Sequence, residues 1–112
     1  FYYFKELIMQ TDVLASAIRS TDGQMLDQNA GVIGRTRVKA VYIVPSVSGG
    51  AAVAGTVVLR DGGASGGVRV TLNTLVGSTT PDYITFPGEG IVFRTNVYAD
   101  VTSIASVFVI YG

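Results

Sequence analysis

Cysteine, histidine and tryptophan are all missing from these 112 residues. Without cysteine there is no disulfide and no thiolate nucleophile, and the redox compartment cannot be read. Without histidine the chain lacks the commonest metal ligand and the usual general base near neutral pH. A Ser-His-Asp device is excluded outright. Charge is scarce too: 14% of the residues are charged, where ordinary soluble domains carry about 25%. Eight basic and eight acidic side chains cancel. A neutral chain with scattered charges is a poor candidate for electrostatic capture of nucleic acid or of an anionic lipid surface. No apolar run approaches the ~20 residues that a membrane helix needs. Neither nucleic acid nor membrane is therefore expected as a partner, and no cofactor is expected.

What is present is apolar and β-forming. Hydrophobic residues make up 48% of the chain. A domain of this size buries only ~65% of its unfolded surface. Part of the apolar remainder must face outward, and coverage of that surface by protein partners is expected.

The clearest local signal is a hairpin. Val57-Val58-Leu59-Arg60 runs into Asp61-Gly62-Gly63-Ala64-Ser65-Gly66-Gly67, and Val68-Arg69-Val70-Thr71-Leu72 leads back out. The glycine loop lacks the Lys-Ser/Thr pair and the following helix of a phosphate cradle, so it reads as a turn. Other strands are expected over Asp12–Ser20, Arg35–Val44, Tyr83–Phe86, Ile91–Arg94, Asn96–Ala99 and Ser103–Tyr111, with a bend near Asp100. Pro87-Gly88-Glu89-Gly90 is a strong turn signal. The last strand is apolar at every second position on both faces and reads as a central strand covered on both sides. About seven or eight short strands at this spacing predict an all-β fold, a single antiparallel β-sandwich of jelly-roll or Ig-like type spanning 12–112. Residues 1–11 are the exception. Phe1-Tyr2-Tyr3-Phe4-Lys5-Glu6-Leu7-Ile8 lacks a basic leader and a cleavage-type ending, so it reads as a short helix or extended arm and not as a signal peptide.

Few residues have the makings of a catalytic site. Asp22, Asp61, Asp82, Glu89 and Asp100 all fall at expected turns, where Asp is favoured by local hydrogen bonding. Their spacing matches no calcium loop. Ser46, Ser48 and Ser65 have no histidine, and nothing places Lys5 or Lys39 beside a serine. Neither a catalytic residue nor a metal ligand is assigned, and no enzymatic activity is expected. Arg35, Arg37 and Lys39 stand at strand spacing on one face. They read as a solvated strand edge or a contact for a protein partner. Tyr42, Tyr83, Tyr98 and Tyr111 could line a sugar-binding surface, but aromatic residues are equally strand formers and interface anchors.

A longer pattern runs through Gly34-Arg35, Val38-Lys39-Ala40-Val41-Tyr42-Ile43-Val44, Val58-Leu59-Arg60-Asp61-Gly62-Gly63 and Val70-Thr71-Leu72-Asn73-Thr74. It closes with Pro87-Gly88-Glu89-Gly90-Ile91-Val92-Phe93 and Ala105-Ser106-Val107-Phe108-Val109-Ile110-Tyr111-Gly112. In this order the pieces resemble a group of small virion proteins of tailed bacteriophages, many from aquatic hosts. The resemblance covers residues 31–112 and transfers no site residues. It implies a small β-sandwich in the virion, on the outer surface of the capsid. There a decoration or cement protein would bind the major capsid protein, copies of itself or other virion proteins, as a homo-oligomer. The alternative is a tail, fibre or head-fibre module that binds a host receptor or glycan. Phe1, Tyr2, Tyr3, Phe4, Leu7 and Ile8 are the expected interface residues of the arm, and Arg35, Arg37 and Lys39 those of the sandwich.

Overall fold

The computed structural model describes residues 13–77 and 79–112. The expected arm, with Phe1, Tyr2, Tyr3, Phe4, Leu7 and Ile8, lies outside the described residues. Within them the fold is all-β and antiparallel. The strands are β1 (Leu14–Ala15), β2 (Gly23–Gln24), β3 (Thr36–Pro45), β4 (Val47–Ser48), β5 (Ala51–Ala52) and β6 (Gly55–Asp61). They continue with β7 (Gly67–Thr74), β8 (Asp82–Thr85), β9 (Ile91–Phe93), β10 (Tyr98–Thr102) and β11 (Ile104–Tyr111). Four of these, β1, β2, β4 and β5, are two-residue pairings. The expected strand over Asp12–Ser20 is reduced, among the described residues, to the two-residue β1 and an isolated bridge at Arg19.

Two sheets form the sandwich. The first has the order β1-β11-β3-β8, with β9 also on β3, and the second has the order β2-β10-β6-β7. The β4–β5 ribbon stands apart. Val38, Val41, Ile43, Val107 and Val109 from the first sheet meet Val57, Leu59 and Ala99 from the second in one buried cluster. Met25 and Phe93, both without exposed surface, fill it from the loops and the sheet edge. Full burial of such a side chain contributes about 1.5–3 kcal/mol, so this cluster holds the two sheets together.

The β6–β7 hairpin forms as expected, with Val57 opposite Leu72 and Leu59 opposite Val70. All four side chains lie on the core side. Three bulges adjust the alternation elsewhere. On β3, Ala40 pairs with Ile110 and Val38 with Tyr111, so Lys39 is an extra residue. On β11, Ile104 pairs with Pro45 and Ser106 with Val44, which leaves Ala105 extra. On β7 the extra residue is Arg69. A bulge of this kind flips the face on which later residues appear.

Strict alternation over Arg35–Val44 puts Thr36, Val38, Ala40, Tyr42 and Val44 on one face and Arg35, Arg37, Lys39, Val41 and Ile43 on the other, an expectation that the Lys39 bulge corrects. Val38 is buried before the bulge, and Val41 and Ile43 are buried after it, with Tyr42 and Val44 turned outward. Two further expectations are corrected. Asp100 lies inside β10, and the chain bends instead at Ser103, which has a positive φ of 55°. The closing strand β11 does sit between β1 and β3, but only one of its faces is buried. Ser106, Phe108 and Ile110 on the other face are half-exposed.

The turn at Pro87–Gly90 breaks one edge of the first sheet into β8 and β9. Gly90 has a φ of 91°, and a Cβ there would run into the carbonyl oxygen of Val38. Only glycine allows both the dihedral and the close approach.

Candidate functional site

The outer faces of the two sheets differ in chemistry. Antiparallel partners share a face. In the first sheet, Tyr42 of β3 pairs with Phe108 of β11 on one side and with Tyr83 of β8 on the other. The three rings form a row across the sheet. Tyr42 and Phe108 stack with centroids 5.1 Å apart and planes 22° apart. Tyr42 and Tyr83 are tilted by 53° at 6.5 Å. Tyr83 is 59% exposed, a large fraction for an aromatic side chain. Val44 and Ile110, both half-exposed, extend the apolar surface on either side of the row.

The second sheet presents more polar groups on its outer face. Thr56 donates its hydroxyl to Asn73 Oδ1 at 3.0 Å, and Arg60 lies 3.7 Å from the Asp100 carboxylate. Thr71 and Thr102 are exposed beside them. These polar groups share the face with the half-exposed Val58 and Tyr98 and the exposed Val68, so the outer face of the second sheet is mixed, whereas the first sheet shows a stacked aromatic row.

The basic residues expected at an interface are split by the structure. Arg35 lies in an exposed bend before β3. Arg37 is exposed within β3, opposite Val92 of β9. Lys39 is the half-buried bulge residue. Arg37 and Lys39 thus stand on β3 to one side of the aromatic row, and Arg35 is off the strand. The row itself was not legible as a unit. Tyr42 and Tyr83 were visible as candidate surface aromatics, but Phe108 was assigned to a doubly covered strand. Only the register joins residues so far apart in the chain.

Asp22, Asp27, Asp61 and Asp100 have structural partners. Asp61 accepts hydrogen bonds from the backbone N–H groups of Arg94 and Thr95, each at 2.8 Å, and of Asn96 at 3.4 Å. Arg69 also donates to it at 3.3 Å. The first two amide bonds do most to hold its pKa at about 2, below the ordinary 3.8, against an opposing effect of desolvation. A carboxylate so fully engaged ties the hairpin to the β9–β10 turn and is poorly placed to shuttle protons. Asp22 accepts the Val101 N–H at 2.7 Å, and Asp27 accepts those of Asn29 and Gly31, each at 2.8 Å.

Arg19 is likewise committed locally. Its guanidinium donates to the carbonyls of Thr21, Asp22 and Gln24 and so closes the 20–24 loop. An open depression beside this loop is lined by Ser20, Thr21, Asp22, Ser46 and Ser103 together with the apolar Val101 and Ile104. Among the described residues no cluster of three or more His, Cys, Asp or Glu side chains could hold a metal ion, and no helix is long and apolar enough to cross a membrane. Comparison with family models, curated proteins and solved structures finds no match to this chain.

Proposed function

We propose that this chain is a non-enzymatic structural protein of a bacteriophage virion. In this reading it is a capsid decoration or cement protein. It binds the major capsid protein lattice through the outer face of its first sheet and stabilises the head. The observation that carries the docking part is the Tyr83–Tyr42–Phe108 row, a run of adjoining aromatic rings on one face of the sandwich, where the other face mixes an ion pair and hydroxyls with single apolar side chains. Aromatic side chains are over-represented at the centres of protein interfaces. They provide large contact area for little lost side-chain freedom. The resemblance of residues 31–112 to small virion proteins supplies the setting, and the scarcity of charge fits a surface that is covered in use.

The test is made on purified particles. A copy number that follows the capsid lattice, and heads that lose resistance to heat or low salt when the protein is removed, support cementing. Unchanged head resistance after removal contradicts it. The second reading, a tail or fibre module for a host glycan, draws on the half-buried Tyr42 and the exposed Tyr83, since sugars also stack on aromatic rings. It predicts a copy number set by tail symmetry, together with sugar binding by the isolated protein.

A further inference from the structure

β7 is the outermost strand of the second sheet, and one of its two backbone edges has no partner among the described residues. Open edges invite pairing with another chain, and proteins ordinarily blunt them with short strands, prolines, charges or bulges. The other sheet edges here follow that rule. β1 and β2 are two residues each, and β8 and β9 are separated by the Pro87–Gly90 turn. β7 has eight residues and a single charge, Arg69. That charge sits at the bulge and lies 3.3 Å from the Asp61 carboxylate. From Val70 to Thr74 the strand is regular, uncharged and free of proline.

Exposed apolar side chains mark both ends of this segment. Val68 is 51% exposed at its start, and Leu75 and Val76 are 73% and 74% exposed just past its end. An occupant of the edge should cover both. A second copy of the same strand, running antiparallel, does so by symmetry.

We propose that β7 pairs antiparallel with β7 of a second copy, about a two-fold axis at Leu72, joining the two second sheets into one continuous sheet. The register follows from the strand itself. Side chains alternate with period two, so only an axis through a residue keeps core-side positions opposite core-side positions. An axis at Arg69 opposes two guanidinium groups, and an axis at Thr71 runs the Arg69 bulge into the ladder. An axis at Leu72 uses the regular segment alone. It sets Val70 opposite Thr74, Thr71 opposite Asn73, and Leu72 opposite itself. It also carries the Val68 end of each copy to the Leu75–Val76 end of the other. No like charges meet. Such an interface is isologous and closed, and so gives a dimer and not a filament.

The inference concerns a different surface from the aromatic row, and its test reads self-association, not particle binding, so the two can fail separately. Thr71 and Asn73 are both exposed and face each other across the proposed axis. The full chain and two double variants are compared by sedimentation velocity over a concentration series. Thr71→Lys with Asn73→Lys opposes lysines and should weaken self-association at least about tenfold. Thr71→Lys with Asn73→Asp changes the same two positions but opposes unlike charges, and should remain dimeric. A monomeric parent chain overturns the proposal. So do two variants that behave alike, whether both are dimeric or both monomeric.

Discussion

The carboxylate of Asp61 accepts the backbone N–H of Thr95 at 2.8 Å, across 34 positions of the chain. The bond joins the end of β6 to the turn between β9 and β10, and with it the hairpin to the rest of the second sheet. Removing the carboxylate takes the acceptor from three amides on an exposed turn, and a hydrogen bond to a charged group contributes about 1.5–3 kcal/mol. Asp61→Ala should therefore destabilise the fold by about 1–3 kcal/mol. Urea unfolding measures this directly, and a loss below ~0.5 kcal/mol would show that the turn is held by other contacts.

The same site fixes a pH dependence. Asp61 has a pKa of about 2 in the folded state against an ordinary 3.8. Its folded pKa is depressed, so the stability it contributes is present above 3.8 and is lost as pH falls towards about 2. Asp61→Asn should flatten this part of the acid limb. The check is to compare unfolding midpoints of the two proteins between neutral pH and pH 2. Parallel curves across that window would contradict the assignment.

Gly90 combines a φ of 91° with backbone contact to Val38. Gly90→Ala must shift the Pro87–Gly90 turn or strain it, at an expected cost of about 1–3 kcal/mol. The nearby Gly88 also has a positive φ, 64°, but open space around it, so Gly88→Ala should cost less. Thermal unfolding of the pair separates close approach from dihedral strain alone. Equal losses would argue against the Val38 contact.

The aromatic row should divide stability from binding. Phe108 is half-buried and stacked on Tyr42, whereas Tyr83 is mostly exposed at the sheet edge. Phe108→Ala should lower stability by about 1–3 kcal/mol, and Tyr83→Ala by less than ~0.5 kcal/mol. Chemical denaturation of both variants tests the division, and a large loss for Tyr83→Ala would make that ring a structural element.

How much of this could be read from sequence depends on how local each feature is. The β6–β7 hairpin was legible because its glycines and flanking Val-rich strands are contiguous. The sandwich class followed from turn spacing. The bulges at Lys39, Ala105 and Arg69 were not legible, since an extra residue is defined only against a partner strand. This is why strict alternation places Val41 and Ile43 on the face of Arg37 and Lys39, and why β11 reads as covered on both sides. Asp100 looked like a turn residue by type, yet it lies in β10 and approaches Arg60 of β6, from the pairing of two strands distant in sequence. Arg35, Arg37 and Lys39 had the spacing of one face, but Arg35 precedes the strand and Lys39 sits in the bulge.

The central claim is that the outer face of the first sheet is the docking surface, and binding to particles stripped of the protein tests it most directly. Tyr83→Glu should weaken that binding by about 2 kcal/mol or more, roughly thirtyfold in Kd. Thr102→Glu, an exposed position on the second sheet, should bind as the parent chain does. Unchanged affinity for Tyr83→Glu, or an equal loss for Thr102→Glu, would contradict the account.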